Sequence, residues 1–372
     1  MFQYIVPTLN KELELGVYNK IQYQIKSVEY LGLSTKLSKA EKASYFQRLL
    51  PFGYTRWKFN NINIDPSVEI LYVRHTTADF MFLLWLKKCK KKYPYIHIVL
   101  EMPSYPYDKE VKSTNPLLFY YRDLIYRRFL CKYVDLVVVY TDFLSVFGIP
   151  AIKIFNPIDV EAVPIHNGNK IIKNEINLVI VAQLAYWHGC DRIIEGIREY
   201  NKTSKKYKIV FHIIGQGKIV RELKEKTLYY NLSENVKFYG PLSGDQLDEV
   251  FRIADIGVDA LGAHRKDDKW FGSIKSIEYV ARGVPFISEY IIPEELSELK
   301  NYIFQVPFDD SSININELIE FYLKLKYSCS DISQKMRTIA IQKFDYKLTM
   351  KPVLNYFKLQ GTNITDNCIN NN

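Results

Sequence analysis

The sequence lacks paired cysteines. Its five cysteines stand singly, at Cys89, Cys131, Cys190, Cys329 and Cys368. Without a short paired spacing they indicate neither a disulfide framework nor a zinc site, so a reducing cytoplasm is the expected compartment.

Long apolar runs are also missing. No uninterrupted apolar stretch approaches the roughly 18 residues that a membrane span needs. The first residues do not combine a basic start with a long apolar stretch, as a secretion signal would. We therefore expect neither secretion nor a transmembrane anchor.

The composition is that of a folded protein. The chain has 372 residues, of which 48% are hydrophobic, 15% aromatic and 24% charged. This length is too great for one ordinary core and suits two domains. Positive charge is concentrated in the first half: residues 1–160 contain 22 basic and 14 acidic side chains, against 28 and 27 in residues 161–372. Such an excess favours an anionic partner, because long-range attraction concentrates it near the protein.

Short β-rich runs alternate with segments of helical period, which predicts the α/β fold class with parallel sheets. The predicted strands are 2–6, 70–73, 96–100, 136–140, 178–182, 209–214, 236–239, 256–260 and 284–287, and the predicted helices include 15–31, 39–50, 79–92, 117–133, 191–204 and one that Asp245 caps. These runs indicate a first domain over 1–160 and a second over 177–344. A helix at 345–360 is expected to pack back on the first domain, and the polar tail 361–372 is expected to be disordered.

Ligands in open α/β sheets bind beyond the carboxyl ends of the strands, where helix N-termini present free N–H groups. After the predicted strand 209–214 come Gly215 and Gly217, which either let a ligand approach the backbone or form a plain tight turn. After the strand 178–182 come Gln183, His188 and Arg192. His188 and Arg192 could donate to phosphate oxygens, or the segment is a surface loop in which Asp191 caps a helix.

The segment 270–287 is the most informative. Ser273 is predicted to cap a helix that begins with Ile274, which puts Lys275 in the first turn, where a cation is unfavourable to the helix dipole. A bound diphosphate would compensate, and Glu278 one turn later could accept hydrogen bonds from ribose hydroxyls. The alternative is that Lys275 and Glu278 form an exposed i, i+3 ion pair.

The ordered set of motifs over 178–287 resembles the nucleotide-sugar-binding domain of retaining glycosyltransferases of the GT-B fold, and specifically the family 4 enzymes of bacterial polysaccharide and capsule assembly. The matching positions are Leu184, His188-Gly189, Gly215-x-Gly217, Val236-x-Phe-x-Gly240, Ala254-Asp255-Ile256 and Lys275-x-x-Glu278-Tyr-x-Ala-x-Gly283-x-Pro285, with Asn156-Pro-Ile-Asp159 in place of the interdomain segment. The resemblance implies two Rossmann-like domains facing across a cleft, the first binding the acceptor and the second the nucleotide sugar. It implies donor contacts from the following residues: Gly16, Gln183, His188, Gly215, Gly217, Ser273, Ile274, Lys275 and Glu278. It also implies a catalytic role for Lys275, which would stabilise the charge on the departing diphosphate.

This sequence departs from the family pattern at Trp270, where the resemblance would place a glutamate that contacts the donor sugar. Asp267 or Asp268 could substitute for it. Gln183 and His188 stand where the family has arginine and lysine. In the first domain, Gly16 resembles the glycine loop between the first strand and its helix. By position, His75 and Glu101 are candidate catalytic residues on the acceptor side, although Glu101 could equally form a strand-end cap or a buried salt bridge.

Helices rich in basic and aromatic residues, at Lys87–Lys92 and 117–133, could rest on an anionic membrane or simply form a solvated face. The resemblance implies a cytoplasmic hexosyltransferase, peripheral at the inner membrane face in one interpretation, that transfers a sugar from a nucleoside-diphosphate donor to a glycan or lipid-linked glycan with retention. Because the chain lacks an Asp-x-Asp triplet, we expect no metal and no cofactor. A nucleotide-sugar epimerase and a non-catalytic glycan-binding protein remain alternatives, and nucleic acid is not an expected partner.

Overall fold

A computed structural model describes residues 1–9, 15–50, 52–75, 77–114, 117–166, 174–203, 206–328 and 331–359. The chain divides into two compact units. Unit 1 comprises residues 1–157 together with residues from 346 onward, and unit 2 comprises residues 158–345.

Unit 1 is built on an eight-stranded sheet. Its strands are β1 (Phe2–Pro7), β2 (Thr35–Lys42), β3 (Trp57–Lys58), β4 (Ile70–Arg74), β5 (His97–Glu101), β6 (Leu136–Val139), β7 (Ser145–Val146) and β8 (Ile149–Lys153). Its first helices are α1 (Leu15–Tyr30), α2 (Tyr45–Leu49), α3 (Phe80–Lys92), α4 (Asp108–Thr114) and α5 (Leu117–Tyr126), the last followed by a 3₁₀ turn at Arg127–Lys132. The strand order is β3-β2-β1-β4-β5-β6-β8-β7. All neighbours are parallel except β2 with β3 and β7 with β8.

Unit 2 has a six-stranded, wholly parallel sheet. Its strands are β9 (Glu175–Val181), β10 (Lys208–Ile214), β11 (Val236–Gly240), β12 (Ile256–Val258), β13 (Phe286–Ser288) and β14 (Ile303–Gln305). Its helices are α6 (Cys190–Thr203), α7 (Val220–Tyr229), α8 (Asp245–Ile253), α9 (Ile274–Arg282), α10 (Ile315–Ser328) and α11 (Ile332–Lys343). In the strand order β11-β10-β9-β12-β13-β14, strands β9 to β11 are added toward one side of the sheet and β12 to β14 toward the other. The order of addition therefore reverses between β9 and β12, while all strands stay parallel. This order is that of a doubly wound, Rossmann-like sheet.

Two further helices, α12 (Tyr346–Thr349) and α13 (Lys351–Leu359), follow unit 2 in sequence and belong to unit 1. Met350, Val353, Leu354 and Phe357 are buried in one hydrophobic core with side chains of β1, α1 and β4. The Phe357 ring stacks on His97 with centroids 4.5 Å apart. The core of unit 1 is therefore completed by chain that comes after unit 2. The predicted tail 361–372 lies outside the described residues.

The predicted helix over 39–50 is wrong. Residues 35–42 form β2, which pairs with β1 from Phe2↔Thr35 to Pro7↔Ala40, and only Tyr45–Leu49 is helical. Six of the eight residues of β2 are polar or charged, and most of its side chains lie partly or fully exposed, so neither a strand nor a helix period is visible in the sequence. Pairing with β1 decides the conformation. A smaller correction concerns α8, whose N-cap is Gly244 while Asp245 is its first residue.

None of the helices in the described part of the chain is long and apolar enough to cross a membrane.

Candidate functional site

Most of the predicted donor-binding residues come together at one edge of unit 2. Strands β10, β9 and β12 are neighbours in the sheet, so the loops that follow their carboxyl ends lie side by side. The strand order reverses between β9 and β12, and such a reversal leaves a crevice at the carboxyl edge of an open sheet. The loop 183–189 and the segment 259–275 follow these two strands directly.

The glycines after β10 are required by a close approach between two loops. A Cβ at Gly215 would lie 1.9 Å from the carbonyl oxygen of Ala182, and one at Gly217 would lie 1.9 Å from that of Leu184. The Leu184 N–H donates to the Gln216 carbonyl at 2.7 Å. The two loops are therefore fused by backbone contact. Gly215 and Gly217 thus form the tight turn that was one of the two alternatives left by the sequence. Because they carry no side chains, they also leave backbone uncovered at the carboxyl edge of the sheet.

The loop after β9 carries two of the predicted donor residues. Gln183 is exposed, whereas His188 is 6% exposed. Burial, together with the nearby ammonium of Lys275, holds the pKa of His188 well below its usual value. The Ala185 N–H donates to His188 Nδ1 at 2.9 Å, which leaves the proton on Nε2. His188 is therefore a neutral donor, and the charge that its ordinary pKa would allow near neutral pH is absent.

Arg192 is not available to a ligand. Its side chain is 1% exposed and donates to Glu289 at 2.9 Å, to the Ser311 carbonyl at 2.7 Å and to the Leu261 carbonyl. All of these partners lie within unit 2. Of the two alternatives for Arg192, contact with a phosphate is therefore not supported, because its donors hold α6 to the segments that follow β12, β13 and β14.

The N-terminus of α9 has the predicted form. The Ser273 side chain accepts from the Ser276 N–H at 3.1 Å, and the helix begins with Ile274. No acidic residue occupies the first turn. The remaining N–H groups of that turn, including that of Ile274, thus add to a positive dipole end without a neighbouring carboxylate in the helix itself.

Lys275 is paired with a buried carboxylate that the sequence did not single out. Its Nζ lies 3.8 Å from Asp259 Oδ1, and Asp259 has no exposed surface. Asp259 Oδ1 also accepts from the Ser273 hydroxyl at 2.8 Å, and its Oδ2 from Ser288 at 3.3 Å. Burial lowers the pKa of Lys275, while Asp259 acts in the opposite direction. One carboxylate thus holds both the helix cap and the cation in its first turn.

Glu278 does not pair with Lys275, which excludes the exposed i, i+3 pair. Its Oε1 accepts from Arg282 Nε at 2.9 Å, and Arg282 also contacts Asp248 at 2.7 Å. Glu278 is 22% exposed. Among the described residues, its Oε2 has no hydrogen-bond partner, so one oxygen of the carboxylate is open to a ligand while the other is held.

The segment before α9 is pinned along much of its length. His264 contacts Glu289 and Asp310, and Arg265 contacts Asp191 and Asp310. The two acidic residues proposed to replace the glutamate absent at Trp270 differ in setting: Asp267 ends a 3₁₀ turn with a positive φ of 63°, and Asp268 pairs with Lys266 at 3.0 Å. Trp270 forms a backbone bridge with Ile291 and is half-buried.

In unit 1, Glu101 forms the buried salt bridge that was one of its two predicted alternatives. The carboxylate has no exposed surface and accepts from Lys20 at 3.0 Å, Arg74 at 2.7 Å and the hydroxyls of Tyr140, at 2.6 Å, and Tyr4. Despite burial, these donors lower the pKa of Glu101 to about 2. With four donors, this carboxylate is not free to act as a base.

The other two residues predicted in unit 1 are His75, which is buried, and Gly16, which lies within a helix. His75 is 3% exposed, its ring stacks on Phe82 at 5.3 Å, and its Nε2 has no partner among the described residues. Burial lowers its pKa to about 3, so the imidazole is neutral. Gly16 lies in the first turn of α1 rather than between β1 and that helix. Helix formation begins at Leu15, so the expected glycine loop does not include Gly16.

Sequence reasoning missed the buried ionic partners Asp259, Glu289, Lys20 and Arg74. Each lies at or just after a strand end or on a helix, and each pairs with a group 16 to 97 positions away in the sequence. Asp259 offered a signal, since it is a lone acid directly after an apolar strand. In the described part of the chain, no three His, Cys, Asp or Glu side chains cluster so as to hold a metal ion. Metal independence and the absence of a cofactor stay predictions.

Residues 164–339, all within unit 2, match the family model described as Glycosyl transferases group 1. Unit 2 carries a group 1 glycosyltransferase domain. The predicted assignment of the chain to glycosyltransferases (EC 2.4) is confirmed at this level, whereas membership of family 4 and retention of configuration stay predictions. Among curated proteins, the sequence matches none.

Solved structures match both units together. HepE of Anabaena, in complex with UDP, has a TM-score of 0.65 and 12% identity over 96% of this chain and all of its own. Sucrose-phosphate synthase of Thermosynechococcus elongatus has a TM-score of 0.66 and 10% identity over 97% and 100%. A glycosyltransferase of Rickettsia africae has a TM-score of 0.62 and 14% identity over 97% and 98%. At such identities the likeness establishes the fold, and the predicted GT-B class with two Rossmann-like domains is confirmed.

Proposed function

We propose that the group 1 glycosyltransferase domain binds a nucleoside-diphosphate sugar at the N-terminus of α9, and that the protein transfers this sugar to a hydroxyl of a glycan acceptor. The single observation that carries the proposal is that the Ser273 cap and the cation of Lys275 occur together at that helix end. This helix end lies beside the point where the strand order of the sheet reverses. A helix N-terminus binds anions through its free N–H groups and its dipole. A lysine in the same turn adds a full positive charge.

A diphosphate fits this position better than a neutral ligand does. Among the described residues, Lys275 has one acidic neighbour in direct contact, Asp259, and that carboxylate is shared with Ser273 and Ser288. His188 supplies a neutral N–H donor from the adjoining loop. The fused loops of Gly215 and Gly217 present backbone without side chains. Together these groups offer preorganised donors to an anion in a largely dehydrated setting.

The roles follow from the chemistry of transfer. The bond between the anomeric carbon and the terminal phosphate oxygen breaks, the diphosphate leaves with the electron pair, and the acceptor oxygen bonds to the anomeric carbon as its proton passes to the departing diphosphate. Lys275, His188 and the free N–H groups of the α9 terminus that Ser273 caps stabilise the charge that grows on the leaving group. The open oxygen of Glu278 accepts from the ribose. Gln183 is exposed beside the glycine loops and contacts the base or ribose.

UDP is the first nucleotide to test, because HepE has been solved with UDP, with UDP and glucose, and with UDP-glucose. We assign acceptor binding to unit 1, at the carboxyl edge of its sheet. Since Glu101 and His75 are buried, they act as positioning residues there: Glu101 fixes Arg74 and Lys20 rather than contacting the acceptor. A lipid-linked glycan, retention and a role in polysaccharide assembly at the inner membrane surface belong to this proposal.

Lys275→Ala tests the donor site. Loss of a charge-assisted contact of about 1.5–3 kcal/mol should weaken UDP binding roughly ten- to hundredfold in titration calorimetry. Lys269→Ala removes an exposed lysine from the segment before the same helix and should leave the affinity unchanged. Equal affinities in wild type and Lys275→Ala would refute the assignment of the diphosphate to this helix.

Product analysis separates the proposed transferase from the other predicted activities. Incubation of wild type with a nucleotide sugar and a glycan acceptor should release the nucleoside diphosphate and extend the acceptor. An epimerase would alter the sugar nucleotide without an acceptor, and a glycan-binding protein would do neither.

A further inference from the structure

Unit 1 presents a group of large apolar side chains to solvent. Tyr45, Phe46, Leu49, Leu50 and Phe52 are 68%, 81%, 47%, 58% and 64% exposed, and all lie on or just after α2. Monomeric proteins rarely expose a contiguous apolar patch of this kind unless it binds something. These five side chains, with Phe80, are called the α2 surface below.

The α2 surface is held rigidly and continues onto neighbouring elements. Phe52 contacts Phe80 with ring centroids 5.4 Å apart, and Phe80 is 6.1 Å from Tyr126 at the end of α5. The buried guanidinium of Arg122, from α5, donates to the carbonyls of residues 48, 50, 53 and 54 at 2.8–3.3 Å. A buried cation that satisfies four carbonyls of one short segment fixes its shape, so the rings project from a built platform.

Helix α5 extends the same apolar character. Leu118, Tyr121 and Ile125 recur at helical spacing and are 49%, 57% and 56% exposed. Since α2, the start of α3 and the segment leading to α5 follow the carboxyl ends of β2, β4 and β5, the α2 surface lies toward the edge of the sheet where we place the acceptor.

Charge around the α2 surface is predominantly positive. Residues 42–58 contain Lys42, Arg48, Arg56 and Lys58 and no acidic residue, and Lys58 pairs with the neighbouring Glu41 at 3.2 Å. On the α5 side, Arg128 is exposed, while Asp123 is fully buried. Pairing of two copies through this surface about a twofold axis would bring these cations against one another. Anionic lipid headgroups neutralise them instead, while aromatic and leucine side chains enter the interfacial layer.

We propose that the α2 surface docks unit 1 on an anionic lipid bilayer, with its rings inserted at the interface and its surrounding arginines among the headgroups. This rests on the membrane location included in the proposed function and names the surface that makes the contact, and it does not depend on the donor chemistry. It explains how an acceptor anchored in a membrane would reach the carboxyl edge of unit 1.

The lysine run Lys87–Lys92, for which the sequence left membrane contact and a solvated face as alternatives, lies elsewhere. Helix α3 starts at the carboxyl edge of the sheet and ends at the opposite edge, about 20 Å away for its 13 residues. Lys87, Lys88, Lys91 and Lys92 are exposed near that far end, and Lys90 pairs with Asp135. If the α2 surface faces the membrane, these lysines lie away from it and are not required for docking. Neutralising them therefore tests the proposed orientation.

The experiment is cosedimentation of the full-length chain with vesicles of phosphatidylcholine, alone or mixed with phosphatidylglycerol, at low and high salt. Wild type should bind the mixed vesicles, and Phe46→Asp should lower the apparent affinity at least tenfold. Tyr229→Asp is the matched control, because Tyr229 in unit 2 is also 81% exposed, and it should bind as wild type does. Arg56→Gln should lower affinity about fivefold, for mixed vesicles only and less at high salt.

Several results would overturn the proposal. Absence of wild-type binding to mixed vesicles, wild-type binding by Phe46→Asp, or an equal loss in Tyr229→Asp each contradicts it. So does a loss on neutralising Lys87, Lys88, Lys91 and Lys92 that exceeds the loss in Phe46→Asp. A concentration-dependent dimer that Phe46→Asp abolishes, without vesicle binding, would assign the surface to a second copy. Leu50→Ser repeats the test with a smaller change, and unchanged UDP binding in these variants keeps the outcome separate from that for Lys275.

Discussion

At the scale of single residues, burial decides what each candidate group can do. The Glu101 carboxylate and the Lys20 ammonium were both removed from water, and their pKa values move in the same direction for different reasons. Burial lowers that of Lys20 to about 7 despite Glu101, whereas the donors around Glu101 hold its pKa at about 2. The group is a structural ion network with an excess of cations, since Arg74 shares the same carboxylate. It holds β4, β5 and α1 together beneath the proposed acceptor edge.

His75 gives a pH-dependent prediction. Its folded pKa is about 3, lowered by burial, against an ordinary value of 6.5. Between these values the unfolded chain binds a proton and the folded chain does not, so this group makes the protein less stable as the pH falls from 6.5. At pH 5 the loss is about 2 kcal/mol. Denaturant unfolding at pH 7.5 and pH 5 should show this difference between wild type and His75→Phe, which preserves the stack on Phe82.

His75→Gln is the control for packing, since it keeps a polar side chain without a titrating ring. Both variants should lose the same part of the acid sensitivity. If wild type and the two variants lose equal stability between these pH values, the imidazole is not held neutral in the fold.

Residue roles were only partly predictable from the sequence. Ser273 and Ile274 could be placed because capping is a local property of adjacent residues, and the structure confirms the cap. The partners of Arg192 and Glu101 could not, because a buried ion pair joins groups from distant segments that meet only when the sheet has formed. The side chain of Glu101 alone fits both a base and a structural ion, and only its four donors distinguish them.

At the scale of elements, α9 is the helix on which the proposed donor site depends. Ser273→Ala removes its cap and one donor to the buried Asp259. We expect a loss of about 1–2 kcal/mol in unfolding free energy and a severalfold weaker affinity for UDP, because the first turn frays where we propose that the diphosphate binds. Chemical denaturation and calorimetry measure the two effects.

Ser44→Ala provides the matched control, since the Ser44 side chain caps α2 in unit 1 by accepting from the N–H three residues on, as Ser273 does at α9. It should cost about 1 kcal/mol or less and leave UDP binding unaltered. A result in which both serine variants weaken UDP equally would mean that general stability, and not the α9 terminus, controls the affinity.

The strands of unit 2 could be predicted because most are buried on both faces and appear as apolar runs. Some edge strands and very short strands were not predicted, because they lack a buried apolar run of their own. β2 has a largely exposed, charged sequence and is fixed by pairing with β1, and β14 has only three residues and depends on β13. Leu49 and Leu50, at the end of the predicted helix 39–50, are exposed on the α2 surface.

At the scale of the whole molecule, unit 1 is assembled from two separate stretches of chain. Phe357 is 1% exposed within the core shared with β1 and α1. Phe357→Ala should therefore destabilise unit 1 by about 3–5 kcal/mol while leaving unit 2 able to bind UDP. Calorimetric unfolding should show one transition moved to lower temperature and a second, raised by UDP, that is unchanged.

Asn355→Ala, exposed on the same helix, is the control and should shift neither transition. Were Phe357→Ala to lower the UDP-sensitive transition as much as the other, α13 would not belong to unit 1 alone.

The order of synthesis follows from this arrangement. A ribosome releases the chain from its amino end, and domains generally fold as their sequence becomes complete. All of residues 158–345 emerges before α13 does, so unit 2 can fold while unit 1 still lacks that helix. Until translation reaches that helix, the nascent protein exposes the apolar face of β1 and α1 that Phe357 later covers, and this is the interval in which a chaperone would be needed.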